Sequence, residues 1–230
     1  MKKAYLLIAL VLFIVFAYFG FKAASNLDAN SSVDTPDTLD LAGKQQNFLI
    51  VHVDDLSKNR PQLISVWAVF IVFNTTPQLM FVPLYPAADE ISKPLENAFA
   101  GSKKSSLDPR FEDEIDDQFD ISTSGYLLVD NSSVSSFRKW LTGKDETIST
   151  TPPRTPDENH LVLYNGQEYF QALCSDFSNS GARSFFNSIK WSQILPEHFS
   201  TNLSFETFTL AQDLLKSSGK IAQCNVLSNE

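Results

Sequence analysis

The strongest pattern in the chain is an uninterrupted apolar run from Ala4 to Phe21, AYLLIALVLFIVFAYFGF, with no charged residue in it. As a helix rising about 1.5 Å per residue, it would reach roughly 27 Å, close to the ~30 Å hydrocarbon core of a bilayer. Lys2 and Lys3 precede the run, Lys22 comes after it, and every Asp and Glu lies beyond it. Basic residues stay on the cytoplasmic side. The pattern therefore predicts a single-pass transmembrane helix in the plasma membrane, with the N-terminus cytoplasmic and the rest extracytoplasmic. A cleaved signal peptide competes, because Ala23, Ala24 and Ser25 are small. The run exceeds the usual signal core of about 7–15 residues and Lys22 interrupts an A-x-A site, which favours an uncleaved anchor. Both readings export the remainder of the chain.

Beyond the anchor (residues 1–22) the pattern predicts a polar stalk over 23–46, a folded domain over 47–218 and a C-terminal tail over 219–230. The stalk contains Pro36 and Gly43 and has no hydrophobic period. The domain opens with Asn47–Val53 (NFLIVHV), Leu63–Asn74 (LISVWAVFIVFN) and Leu79–Val82 (LMFV). These runs are apolar on both parities, as strands covered on both faces are. Asp89–Phe119 reads as helical and acidic, broken by Pro94, Gly101 and Pro109. Gly125–Val129 reads as a strand, and Ser132–Leu141 as a helix capped by Ser132 or Ser133. Thr147–Asn159 reads as a proline-rich loop and Leu161–Tyr164 (LVLY) as a further strand. Helices are expected at Ala182–Leu195 and Ser204–Ser217. The expected fold is α/β, a layered helix-sheet-helix domain with a mostly buried mixed sheet, plus the N-terminal transmembrane helix.

Composition narrows the function. Hydrophobic residues make up 43% of the 230, enough for a real core. Lys plus Arg total 18 against 27 Asp plus Glu, a net charge of −9, and only five of the cations are arginine. A nucleic-acid partner needs a dense basic face, so that class is excluded. Cys174 and Cys224 fit no metal motif; in an oxidising compartment they pair, or they stay as buried thiols. The chain has no G-x-S-x-G, Walker loop, H-E-x-x-H or C-x-x-C. His52 between two valines reads as a satisfied core or rim histidine, and His160 and His198 have no partner at catalytic spacing. The seven acids between Asp108 and Asp120 lack the order of a calcium loop and read as a solvated helical face.

An anchor and stalk leading into NFLIVHVDD, RPQLISVWAVFIVFN and QLMFVPLYP resemble the opening of the LytR-CpsA-Psr (cell envelope-related transcriptional attenuator) domain. That family carries N-I-L-L-L-G-x-D, R-x-D-T and P-R-D-T at these places. Leu95–Gly101 (LENAFAG) resembles its K-x-N-A-A-Y-x-x-G-G segment. Ile121–Gly143 resembles its strand-then-helix stretch, and Ala182–Leu195 its arginine-bearing late helix. The resemblance covers roughly Asn47 to Leu215 and describes a divergent member. It implies a glycopolymer phosphotransferase that moves a glycan from a polyprenyl-pyrophosphate carrier to the cell wall, with arginines on the pyrophosphate and a metal on an aspartate.

On that resemblance Asp54 is the metal position, with Mg²⁺ the implied ion, and Arg60 and Arg183 are the catalytic arginines. The match is incomplete. His52 replaces a glycine, Gln62 and Leu63 replace the aspartate and threonine of R-x-D-T, and P-R-D-T has become Pro83-Leu84-Tyr85-Pro86. Each lost arginine removes a charge-assisted contact of about 1.5–3 kcal/mol. The expectation is therefore an envelope protein that binds a polyprenyl-phosphate lipid or cell-wall glycan, or supports active paralogues, with the phosphotransfer chemistry degenerate. One alternative is an active transferase in which Lys58, Arg110 or Arg183 supplies the missing cation. The other is a non-catalytic structural envelope protein.

Overall fold

Strands β1 (Gln45–Val53), β2 (Leu63–Val72), β3 (Gln78–Tyr85), β4 (Gly125–Asp130), β5 (Phe199–Thr201) and β6 (Gln223–Val226) form one sheet in the order β5-β4-β1-β2-β3-β6. The computed structural model describes residues 44–142 apart from 75, 104 and 105, then 151–188, 198–217, 221 and 223–228. The expected anchor and nearly all of the stalk lie outside these residues. Among the described residues, no helix is long and apolar enough to cross a membrane. The stalk's last two residues, Gln45 and Gln46, already pair with Val72 and Ile71, so the domain starts before Asn47.

The sheet is mixed. β1 and β2, and β2 and β3, are antiparallel; β4 lies parallel to β1 and β6 parallel to β3. Helices α1 (Asp89–Phe99) and α2 (Pro109–Phe119) connect β3 to β4. α3 (Asn131–Thr142) continues directly from β4, and α4 (Pro156–Ser188) and α5 (Phe205–Ser217) complete the set. Leu49, Val51 and Val53 of β1 join Val66 and Ala68 of β2 in one buried cluster with Leu95 and Phe99 of α1 and Phe111 and Ile115 of α2. Complete burial of Phe111 and Ile115 stabilises the fold by about 1.5–3 kcal/mol each. The sheet's opposite face carries Trp67 and Phe81, which meet Phe170 of α4 with ring centroids 4.9 and 4.5 Å apart. Both faces are thus covered, which is why the first strands are apolar on both parities.

Several expectations change. Leu161–Tyr164 is not a strand; it lies in the first turns of α4. Pro156 opens that helix, where a missing N–H costs nothing. Thr155 and Glu158 cap it reciprocally: Glu158 N–H donates to Thr155 Oγ1, and Glu158 Oε2 accepts from the N–H groups of Thr155 and Arg154. Pro94 does not break the segment around it but sits inside α1. α3 is capped by Asp130, whose Oδ1 accepts the Ser133 N–H at 2.9 Å, and not by Ser132 or Ser133. The expected helix at Ala182–Leu195 is the end of α4 as far as Ser188, and its remainder lies outside the described residues. Cys174 of α4 and Cys224 of β6 are joined in a disulfide across a 50-residue separation, which decides between the two cysteine readings.

Candidate functional site

β1 and β4 run parallel as neighbours, with Val53 opposite Asp130, so both deliver their C-terminal ends to the same edge of the sheet. From there β1 turns back into β2 and β4 enters α3. In open α/β sheets, ligands settle where connections diverge beyond the carboxyl ends of strands.

The loop after β1 is built around one carboxylate. Asp54 Oδ1 accepts the N–H groups of Asp55 and Gln62, each at 2.8 Å, and the Asp54 N–H donates to the Gln62 carbonyl at 3.0 Å. Both ends of the loop therefore close on Asp54. Its other oxygen, Oδ2, lies 2.6 Å from Lys58 Nζ. That carboxylate holds the Lys58 ammonium above the usual lysine range. Asp55 Oδ1 accepts the Ser57 N–H at 2.7 Å. Hydrogen bonding from Ser57, side chain first and backbone second, lowers the Asp55 carboxyl.

These residues wall one side of a cleft of about 610 Å³. Asp54, Asp55, Lys58 and Gln62 come from the loop and Asn131 from the start of α3; Thr151, Pro152 and Arg154 from the approach to α4, and Glu158 from its first turn, complete the lining. Beneath the cleft His52 is 9% exposed, and its Nε2 lies 3.0 Å from Asn131 Oδ1. Burial lowers this imidazole to about 4, against a raising contribution from the Asn131 hydrogen bond and the charges of Asp130 and Asp54. His52 is a satisfied rim histidine, as its apolar neighbours predicted.

Asp54 thus takes a central place. Arg60 lies in the same loop but is exposed and is not among the cleft-lining residues. Arg183 belongs to α4, and its side chain lies outside the described residues. Arg110, a candidate replacement cation, is committed elsewhere. It grips Asp108 at the start of α2 through Nε–Oδ1 at 3.0 Å and Nη2–Oδ2 at 2.7 Å, which lowers the Asp108 carboxyl to about 2. Lys58 is the candidate that reaches the cleft.

The residues standing in place of P-R-D-T are core. Leu84 and Tyr85 are 2% and 3% exposed, and the Tyr85 hydroxyl donates to Glu96 Oε1 at 2.7 Å. Burial, then that hydrogen bond, raises the Tyr85 phenol. The donors at Asp54 do not fit Mg²⁺ as they stand: one oxygen is held by two backbone N–H groups and the other by an ammonium. Among the described residues, no three His, Cys, Asp or Glu side chains converge to hold a metal ion.

Sequence reasoning missed two residues beside the cleft. Asp130, 1% exposed, ends β4; its Oδ2 accepts from His198 Nδ1 at 2.8 Å and from the Leu56 N–H at 3.4 Å. His198 does have a partner, brought to it by the antiparallel pairing of β5 with β4. An aspartate placed three residues before Ser133, at a strand-to-helix junction, was the available cue.

No protein-family model matches the chain, and no curated protein does. Among solved structures, protein gbs0355 from Streptococcus agalactiae is similar over 80% of this chain and 77% of that one, at 14% identity and TM-score 0.46. TagV from B. subtilis is similar over 81% and 86%, at 13% identity and TM-score 0.46. TagT bound to LIIa-WTA is similar over 87% and 84%, at 11% identity and TM-score 0.48.

Proposed function

We propose that this chain is a divergent LytR-CpsA-Psr-like protein of the cell envelope. On this reading it is a single-pass plasma-membrane protein with a cytoplasmic N-terminus. Its extracytoplasmic domain holds a phosphate-bearing wall glycan in the cleft beyond β1 and β4, and the family's phosphotransfer chemistry is degenerate. The observation that carries the proposal is the lining. It offers carboxylates, amides, a hydroxyl, the ammonium of Lys58 and the guanidinium of Arg154, with Pro152 the apolar member. Such groups match sugar hydroxyls and a phosphate. An isoprenoid chain would leave them unpaired at about 1–3 kcal/mol each. Of the two ligand classes expected from the resemblance, glycan is therefore preferred to polyprenyl-phosphate lipid. The degeneracy rests on Leu84 and Tyr85, which pack into the core where the family motif has an arginine and an aspartate.

A second reading, an active glycopolymer phosphotransferase, draws on Lys58, whose ammonium lines the same cleft in place of a missing arginine. Mg²⁺ would enter either reading only by displacing Lys58 from Asp54.

The test is mass spectrometry of the molecules that the full chain retains through purification in detergent. A phosphate-bearing saccharide, depleted in the Lys58→Ala variant, supports the proposal. Retention of a bare polyprenyl phosphate would shift it to the lipid. Retention of neither, with added wall glycan also failing to bind, would leave a structural envelope role.

A further inference from the structure

The helix that supplies Glu158 to the cleft carries two large apolar side chains on its outside. Leu161 and Tyr164 of α4 are 59% and 51% exposed. Core packing makes no use of them: Val162, Phe170 and Cys174 are the buried members of this stretch, and Gly166 meets Trp67. Glu158, Leu161 and Tyr164 recur at intervals of three, so they follow one ridge of the helix that starts at the cleft and leads away from it. At about 1.5 Å of rise per residue, Tyr164 lies roughly 9 Å along the axis from Glu158, within reach of a short saccharide. The Tyr164 hydroxyl donates to Glu168 Oε1 at 2.9 Å, one turn further on. That bond restrains the ring before any ligand arrives, so stacking on it costs little further side-chain entropy.

The chemistry of the ridge selects its occupant. From Pro156 to Ala182 α4 contains no Lys or Arg, whereas Asp157, Glu158 and Glu168 are acidic. An anionic bilayer surface needs basic residues on such a face. A second copy of the chain needs about 800 Å² per partner, far more than two side chains one turn apart supply. A pyranose needs less. The C–H groups of one sugar face, slightly positive, pack on the negative face of an aromatic ring, and hydroxyls at the sugar's edge bond to a carboxylate beside it. We propose that the Glu158–Leu161–Tyr164 ridge, with Glu168 at its end, is a second glycan subsite. The sugar that bears the phosphate sits in the cleft, the next covers Leu161, and a following pyranose stacks on Tyr164. This rests on the cleft being a glycan-phosphate site and goes beyond it, because it fixes the glycan as a chain of ring sugars that extends past the phosphate. An open-chain polyol has no ring face to offer and gains nothing from the ridge.

The test is calorimetry on the full chain in detergent with two probes, N-acetylglucosamine 1-phosphate and chitotriose 1-phosphate. Wild type is expected to bind the trisaccharide probe about 3–10-fold more tightly than the monosaccharide, the worth of one aromatic contact. Tyr164→Ala is expected to abolish that gain and Tyr164→Phe to keep most of it, since the ring makes the stack. Lys58→Ala is expected to weaken both probes and leave their ratio unchanged. Tyr164 is exposed, so the melting curves of its variants should match wild type, which separates lost contact from lost fold. A ratio near one in wild type, or a gain that Tyr164→Ala leaves intact, overturns the subsite and leaves the cleft reading standing. A dimer in sedimentation that Tyr164→Ala dissolves overturns it in favour of a second copy on the ridge. Failure of both probes to bind wild type overturns the subsite and the cleft reading together.

Discussion

His52 offers the sharpest quantitative consequence of the fold. The residue ends up beneath the cleft because β1 continues past its covered middle to the edge shared with β4, and burial there lowers the imidazole from 6.5 to about 4. An unfolded chain takes up a proton as pH drops through 6.5, whereas the folded chain resists until about 4. Between these values the unfolded state holds more protons, so stability decreases as pH falls and recovers as it rises. At about 1.4 kcal/mol per pH unit, the gap amounts to roughly 3 kcal/mol lost between pH 7 and pH 4. The chain has three histidines, so selective ring labelling of the full chain in micelles yields a spectrum of three resonances. His52 should keep its neutral chemical shift at pH 5. Urea unfolding should show the pH-dependent loss in wild type exceeding that in His52→Gln by roughly 3 kcal/mol. Carboxylates common to both proteins cancel in that difference. A His52 resonance titrating near 6.5, or equal losses in the two proteins, would refute the argument from burial.

Three further outcomes are expected. Reduction of Cys174–Cys224, or Cys224→Ser, should cost about 2–4 kcal/mol in thermal or denaturant unfolding, because the bond ties α4 to an edge strand across a long loop. Gly166→Ala in α4 places a Cβ 2.7 Å from Trp67 Cζ2. It should destabilise by about 1–3 kcal/mol and shift the tryptophan fluorescence, and an unchanged melting curve would count against the close approach. Lys58→Ala frees one oxygen of Asp54, so a response of glycan retention to millimolar Mg²⁺ should appear in the variant and be weak in wild type. Equal responses in both proteins would show that Lys58 does not occupy the cation position.

The central strands were legible because burial on both faces leaves no polar parity, and β1, β2 and β4 each show it in their sequences. The same cue misled at Leu161–Tyr164, where a four-residue apolar run fits a strand as well as a helix face. The T-P-D-E sequence just before it was the better signal, since it contains both Pro156 at the helix start and the Thr155–Glu158 capping pair. β5 and β6 escaped notice for another reason: they are short and half-exposed, held by their neighbours more than by their own apolar content. At the site, Asp54 was legible as a strand-end aspartate. Its bond to Lys58 depends on loop closure onto Gln62, which spacing alone does not reveal. The Asp130–His198 contact spans 68 residues and exists only because β5 docks beside β4.

That docking has a counterpart on the far side. β5 completes the flank beyond β4, and β6 completes the flank beyond β3, so both open margins of the sheet are finished by segments from Phe199 onward. A chain emerging N-terminus first must therefore wait with two unzipped borders, each offering backbone donors and acceptors to any neighbour. Truncation upstream of Phe199 would leave β3 and β4 as the outer strands, open to pairing with another chain.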